Sequence, residues 1–224
     1  MDVFTDPDNQ RVFLSAFGWI LRLTGASAAI ALVLGVLLAA ARVSPVPVLR
    51  GFGAAWVSLF RNTPLTLVVF FCYFGLYVNL SVELSPDLDR NRFWLAVLGL
   101  SVYTAAFVCE AIRSGINTVP VGQAEAARAL GLTFGQTLRL VVLPQAGRAV
   151  VAPLGSILIA LTKNATIAGT IGVAESSNVM KALINENGDA VIPIFLAFAG
   201  AFVLLLVPTG YLFNWLAHRL AVRR

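Results

Sequence analysis

Charge is scarce in this chain. Of its 224 residues only 12% are Asp, Glu, Lys or Arg, where soluble domains carry about a quarter. Lysine occurs at Lys163 and Lys181 alone, and neither closes a Gly-x-x-x-x-Gly-Lys-Ser/Thr phosphate loop. The single histidine, His218, is too little for most metal or acid–base constellations. There is no His-Glu-x-x-His helix and no Gly-x-Ser-x-Gly elbow. Glu110 and Glu125 lie in different surroundings, so paired-carboxylate catalysis finds no support. The two cysteines, Cys72 and Cys109, fall in apolar blocks and read as small buried hydrophobes. Strand-like alternation is missing too, which argues against a β-barrel. The chain is read as no enzyme, with no cofactor of its own and no metal site.

Apolar residues are abundant, at 58%, and they come in blocks. Leu23 to Ala41, Asn62 to Leu80, Phe93 to Cys109, Ala149 to Thr162 and Ala190 to His218 carry no Asp, Glu, Lys or Arg. A hydrocarbon layer of about 30 Å needs roughly 20 helical residues. In lipid a helix satisfies its own backbone groups. The expected fold is therefore all-α and integral to the membrane. It has five transmembrane helices, at about 13–41, 52–79, 92–115, 146–171 and 190–217, in one domain spanning 1–224. The start, Met1-Asp2-Val3-Phe4-Thr5-Asp6, is acidic where a signal peptide is basic, so the first span is expected to be retained.

The pI of 9.8 does not indicate nucleic acid, because the charges sort by loop. Asp2, Asp6, Asp8, Glu83, Asp87, Asp89, Glu175, Glu186 and Asp189 fall on one side. Arg42, Arg50, Arg128, Arg139, Arg148, Arg219, Arg223 and Arg224 fall on the other. Positive residues mark the cytoplasmic face. The N-terminus is thus expected outside and the C-terminus in the cytoplasm of a bacterial plasma membrane. Arg11, Arg90, Arg92 and Lys181 lie on the outer side among acids.

The cytoplasmic stretch 118–144 is the most informative. Thr118 is expected to cap a short helix with Pro120 in its first turn. Alanines at 124, 126, 127 and 129 favour that helix, and Gly131 is placed to stop it in a left-handed conformation. Thr133 and Gln136 have capping-box spacing for a second short helix, which Pro144 is expected to end. Two short helices across the spans would form a stiff protrusion whose alanine face admits another protein closely. Glu125 offers that partner a carboxylate. The alternative is an amphipathic loop resting on the bilayer.

Within the spans, ionisable residues are costly and face a cavity or a partner. Arg61, Glu110 and Lys163 are the candidates. Arg61 precedes Thr63 and Pro64, and Lys163 with Asn164 precedes Thr166 and a glycine-rich helix end. Interrupted helices commonly shape transporter sites. One reading makes Arg61, Thr63, Lys163, Asn164 and Thr166 the substrate path, with Arg61 or Lys163 holding a carboxylate. The other leaves Arg61 at the inner interface and pairs Lys163 with an acid of a neighbouring subunit. Glu110 and Arg113, three apart, suit a local pair.

Glu125-Ala126-Ala127, Gly131, Val141, Leu143 and Pro144 resemble the EAA loop of ABC importer permeases, seven positions agreeing over 20 residues. Arg61-Asn62-Thr63-Pro64-Leu65, the run from Tyr103 to Ile116, and Leu161 to Ile167 are similar to the spans of polar amino-acid permeases. Arg42-Val43-Ser44-Pro45-Val46 and Ser114 to Val119 narrow the likeness to glutamate-uptake permeases of actinobacteria. The resemblance implies a type I importer permease moving a polar amino acid, glutamate first. Glutamine, arginine or cystine are alternatives, and a passive channel or scaffold is a more distant one. It implies a second permease, as a heterodimer, two ATP-binding-cassette ATPase subunits that hold ATP and Mg, and an extracytoplasmic solute-binding protein. The docking residues it implies are Glu125, Ala126, Ala127, Arg128, Gly131, Leu143 and Pro144. The family often has glycine where this chain has Asn62 and aspartate where it has Asn164.

Overall fold

Helix α1 (Pro7–Val43) begins where the Asp6 carboxylate accepts the Asp8 N–H at 2.9 Å, with Pro7 in the first turn. It ends at Ser44, extended between Val43 and Pro45. A small residue recurs every fourth position on one face: Ser27, Ala31, Gly35 and Ala39, all buried. Such a face lets a second backbone approach closely inside a bilayer. That second helix is α4 (Leu88–Asn117), which runs parallel to α1. Trp19 meets Phe93, the Ser101 hydroxyl donates to Ser27 O, Gly35 meets Val108, and Arg42 pairs with Glu110. The computed structural model describes residues 3–220. Asp2, Arg223 and Arg224, which enter the charge argument, lie outside the described residues.

Between these two helices, over the span expected at about 52–79, the chain is broken. It forms α2 (Pro47–Asn62) and α3 (Leu65–Asn79), bent by 106° at Thr63-Pro64. Pro64 has no N–H, and its ring drives Thr63 out of the helical region, to φ −101° and ψ 132°. Side chains bond carbonyls of the last turn of α2. Thr63 Oγ1 donates to Leu59 O at 2.8 Å and Asn62 Nδ2 to Ser58 O at 2.8 Å. From Phe71 to Asn79, α3 widens into π-helix.

After α4 come α5 (Val121–Ala129) and α6, a continuous helix over 134–149. Helix α7 (Val151–Ile171) follows and tightens to 3₁₀ over Ala165–Ile171 before Gly172 turns left-handed at φ +87°. Helix α8 (Ser176–Glu186) caps the end of the bundle where α1 begins, burying Val179 and Leu183 against Ala16, Ile194 and Phe198. Its N-cap is Glu175, fully buried, whose carboxylate accepts the N–H groups of Ser177 and Asn178. Burial pushes the Glu175 pKa up, and the bonds from Ser177, Asn178 and Ser176 pull it back part of the way. Helix α9 (Val191–Leu220) packs antiparallel on α7, with Phe213 on Gly155. Its other faces expose Ile192, Phe195, Leu196, Val203 and Leu204, the surface expected of a helix in lipid.

No strand occurs among the described residues. Among them, α1, α4, α7 and α9 are long and apolar enough to cross a bilayer, and the bent α2–α3 pair passes the same test when its two arms are taken together. Cys72 and Cys109 are buried and free.

Candidate functional site

Two regions hold the predicted site residues. The first is the elbow formed by α5 and α6. Thr118 does not cap α5. Its hydroxyl turns back to Gly115 O at 2.7 Å and finishes α4 instead, leaving Pro120 as a cap without a side-chain bond. The short spacing to Gly115 makes the local bond available before α5 begins. Helix α5 then runs to Ala129, and Gly131 stops it at φ +84°. That sign favours glycine, and it lets Gly131 N–H reach Arg128 O and Leu132 N–H reach Ala127 O. Ala127 is the buried residue of α5, while Glu125, Ala126 and Arg128 face outward. Glu125 makes no hydrogen bond or ion pair among the described residues.

Helix α6 opens with the expected capping box, Gln136 N–H to Thr133 Oγ1 and Thr133 N–H to Gln136 Oε1. Pro144 does not end it. The helix widens to a π-turn over Leu138–Val142, with Leu143 N–H bonded to Leu138 O, and continues through Leu143–Ala149. Widening moves the preceding carbonyls off the proline ring, so the helix survives. Gln145 Nε2 braces the two arms, donating to Gln123 Oε1 at 2.6 Å and Val141 O at 2.9 Å. The elbow is fixed to the spans where α4 meets α6. A methyl on Gly115 would stand 3.0 Å from Ala146 O. Leu130 and Phe134 project from the elbow, 85% and 70% exposed, an apolar tip that no part of the described chain covers.

The second region is inside the spans, and it does not gather the predicted path residues into one recess. Arg61 lies 3.8 Å from Glu110, beside the Arg42–Glu110 ion pair and Arg113, with its guanidinium over Phe107. Thr63 forms the α2–α3 break. Lys163 and Asn164, adjacent in sequence, open onto different recesses. Asn164 lines one of about 360 Å³ between α4 and α7, with Tyr103, Thr104, Phe107 and Ser156. Lys163 lines one of about 550 Å³ between α7 and α9, with Tyr211 and Asn214. Thr166 donates to Lys163 O at 2.8 Å and its own carbonyl accepts from Ser177, tying α7 to α8.

The described residues thus form apolar helices with a break in the α2–α3 pair and an elbow between α4 and α7. The sequence profile of binding-protein-dependent transport system inner membrane components matches residues 31–222. The chain belongs to that family. As an inner membrane component it is similar to the glutamate transport system permease protein GluC of Corynebacterium glutamicum. The two are 51% identical over 216 residues, covering 94% of this chain and 95% of that one. It is 34% identical to the probable glutamine ABC transporter permease protein GlnM of Bacillus subtilis, covering 95% of each. Its fold matches a chain of a solved amino acid ABC transporter with histidines at a TM-score of 0.87. That likeness covers 98% of this chain and 99% of that chain at 24% identity. The permease is thus a multi-pass membrane protein with the type I importer fold and is a non-catalytic component.

Part of the site escapes sequence reasoning. Spacing pairs Glu110 with Arg113, and that contact is present at 3.8 Å. Nothing in the spacing points to Arg42, 68 positions away, which holds the other carboxylate oxygen. Tyr103, Thr104 and Ser156 carry no motif of their own beside Asn164. Their signal is only that they are polar groups on otherwise apolar helices.

Proposed function

We propose that this permease carries glutamate across a bacterial plasma membrane by alternating access. It would act as a single transmembrane unit with its N-terminus outside and its C-terminus in the cytoplasm. A second permease completes the path, and an extracytoplasmic binding protein delivers the cargo. Two ATPase subunits, which bind ATP with Mg, dock on the α5–α6 elbow through Glu125, Ala126, Arg128, Gly131, Leu143 and Pro144, with Ala127 buried behind them holding α5 in place. Their closure tilts the elbow, and the tight α4–α6 contact at Gly115 passes the motion into the spans. The observation that carries this reading is the uncovered tip of the elbow: an unpaired carboxylate, an alanine face and two exposed apolar side chains on a braced support.

The cargo assignment draws on relatives named as glutamate transport permeases and on the neutral Asn164 side chain. An acid there would repel an anionic amino acid. Arg61, Thr63, Lys163, Asn164 and Thr166 border the proposed path, with the Asn164 recess as its centre.

In proteoliposomes containing the full transporter, Glu125→Lys or Gly131→Asp abolishes ATP-coupled glutamate uptake while membrane insertion persists. Full uptake by both variants overturns the docking role. Asn164→Asp lowers glutamate uptake, as do Arg61→Ala and Lys163→Ala. Unchanged affinity and rate in all three remove the path assignment but leave the docking role intact.

A further inference from the structure

A polar recess of about 420 Å³ opens between α1, α2 and α4, at the end of the bundle that carries the elbow. Its charged lining is Arg42, Arg61, Arg113 and Glu110. The three arginines face one carboxylate, a surplus of two positive charges. They do not share it equally. Arg42, its stem pressed against Gly53, takes Glu110 Oε1 in a direct ion pair. Arg61 and Arg113 converge on Oε2, each at 3.8 Å, too far for a hydrogen bond. Their side chains remain 49% and 41% exposed. Ser58 and Asn62, one turn apart on α2, also line the recess.

Two guanidinium forks aimed into one cavity, with their donors unused toward the only acid present, form the arrangement that binds an oxyanion. The carboxylate of Glu110 neutralises Arg42 and leaves the other pair short of a counter-ion. We propose that this recess binds a small oxyanion, a carboxylate or phosphate group, between Arg61 and Arg113, with Ser58 as a further donor. The group has two available sources, a free anion or the headgroup of an anionic lipid. The site shares Arg61 with the proposed path, but it centres on a different recess from that of Asn164 and does not depend on glutamate being the cargo.

The test uses the transporter purified through a tag on this chain and placed in phosphatidylcholine nanodiscs. Binding of radiolabelled inorganic phosphate is measured by equilibrium dialysis, with chloride at matched ionic strength as the control. Saturable phosphate binding is expected, weakened about tenfold by Arg61→Gln or Arg113→Gln, the loss of one charge-assisted fork. Glu110→Gln strengthens it, because the competing carboxylate is gone. A merely structural ion cluster predicts no gain there. Glutamate that competes with phosphate identifies a free anion as able to fill the site. Phosphate binding that disappears when phosphatidylglycerol is added to the discs identifies the headgroup. Either result supports the site. Phosphate no better than chloride in the wild-type protein overturns it, as does unweakened binding in Arg61→Gln/Arg113→Gln. Where that double variant does not assemble, Arg113→Lys keeps the charge, removes the fork and must still weaken binding.

Discussion

Pro64 and Pro144 stand in similar apolar helical sequence, and the chain treats them in opposite ways. At Pro64 the helix stops and the chain turns by 106°. At Pro144 the helix passes through with a π-turn. The ring chemistry is identical, so the difference lies in the side chains available to cap the turn before each proline. Before Pro64 stand Asn62 and Thr63, whose side chains bond Ser58 O and Leu59 O and make an abrupt end affordable. Before Pro144 stand Leu140, Val141, Val142 and Leu143, which have nothing to donate. There the backbone must serve itself, and shifting to i→i+5 bonding is the way it does so. A proline thus marks a strained point, and its neighbours choose between a break and a bulge.

Three substitutions probe this contrast. Pro64→Ala has the largest expected effect, since a proline inside a helix costs about 3 kcal/mol and its removal lets α2 run into α3. Spin labels at the exposed positions Leu59 and Leu67 should move apart, and transport should fall. An unchanged distance distribution would mean that tertiary packing, not the proline, holds the bend. Thr63→Ala is expected to be milder, costing about 1 kcal/mol for the lost hydroxyl bond. Thermal unfolding measures it, and no loss of stability would argue that water serves the Leu59 carbonyl equally well. Pro144→Ala should do least, leaving α6 helical and adding a protected amide at position 144. Hydrogen exchange at that amide as fast as in an open loop would contradict a continuous helix.

These two sites also mark where reading along the chain succeeds and fails. The left-handed stop at Gly131 and the Thr133–Gln136 capping box were legible, because each depends on residues within a few positions of one another. The expected break at Pro144 was reversed, whereas Pro64 does interrupt its helix. A proline's local preference is fixed, but the choice between break and bulge rests on competing hydrogen bonds that no single residue type announces. Thr118 illustrates the same limit, since its hydroxyl found Gly115 O before it could cap α5. Among the candidate path residues, adjacency misleads: Lys163 and Asn164 are neighbours in sequence, yet successive residues on a helix point about 100° apart and so enter separate recesses.

Composition and order of residues alone were enough for the membrane class and the two helices of the elbow, because desolvation in lipid and local capping act over short stretches of chain. The convergence of Arg42, Arg61 and Arg113 on Glu110 needed the folded helices. It arises where the small-residue face of α1 lets α4 come close and where α2, packed on both, brings Arg61 to the same carboxylate. Long-range electrostatic partners are set by how helices pack, and packing is a property of surfaces that meet only after the chain has folded.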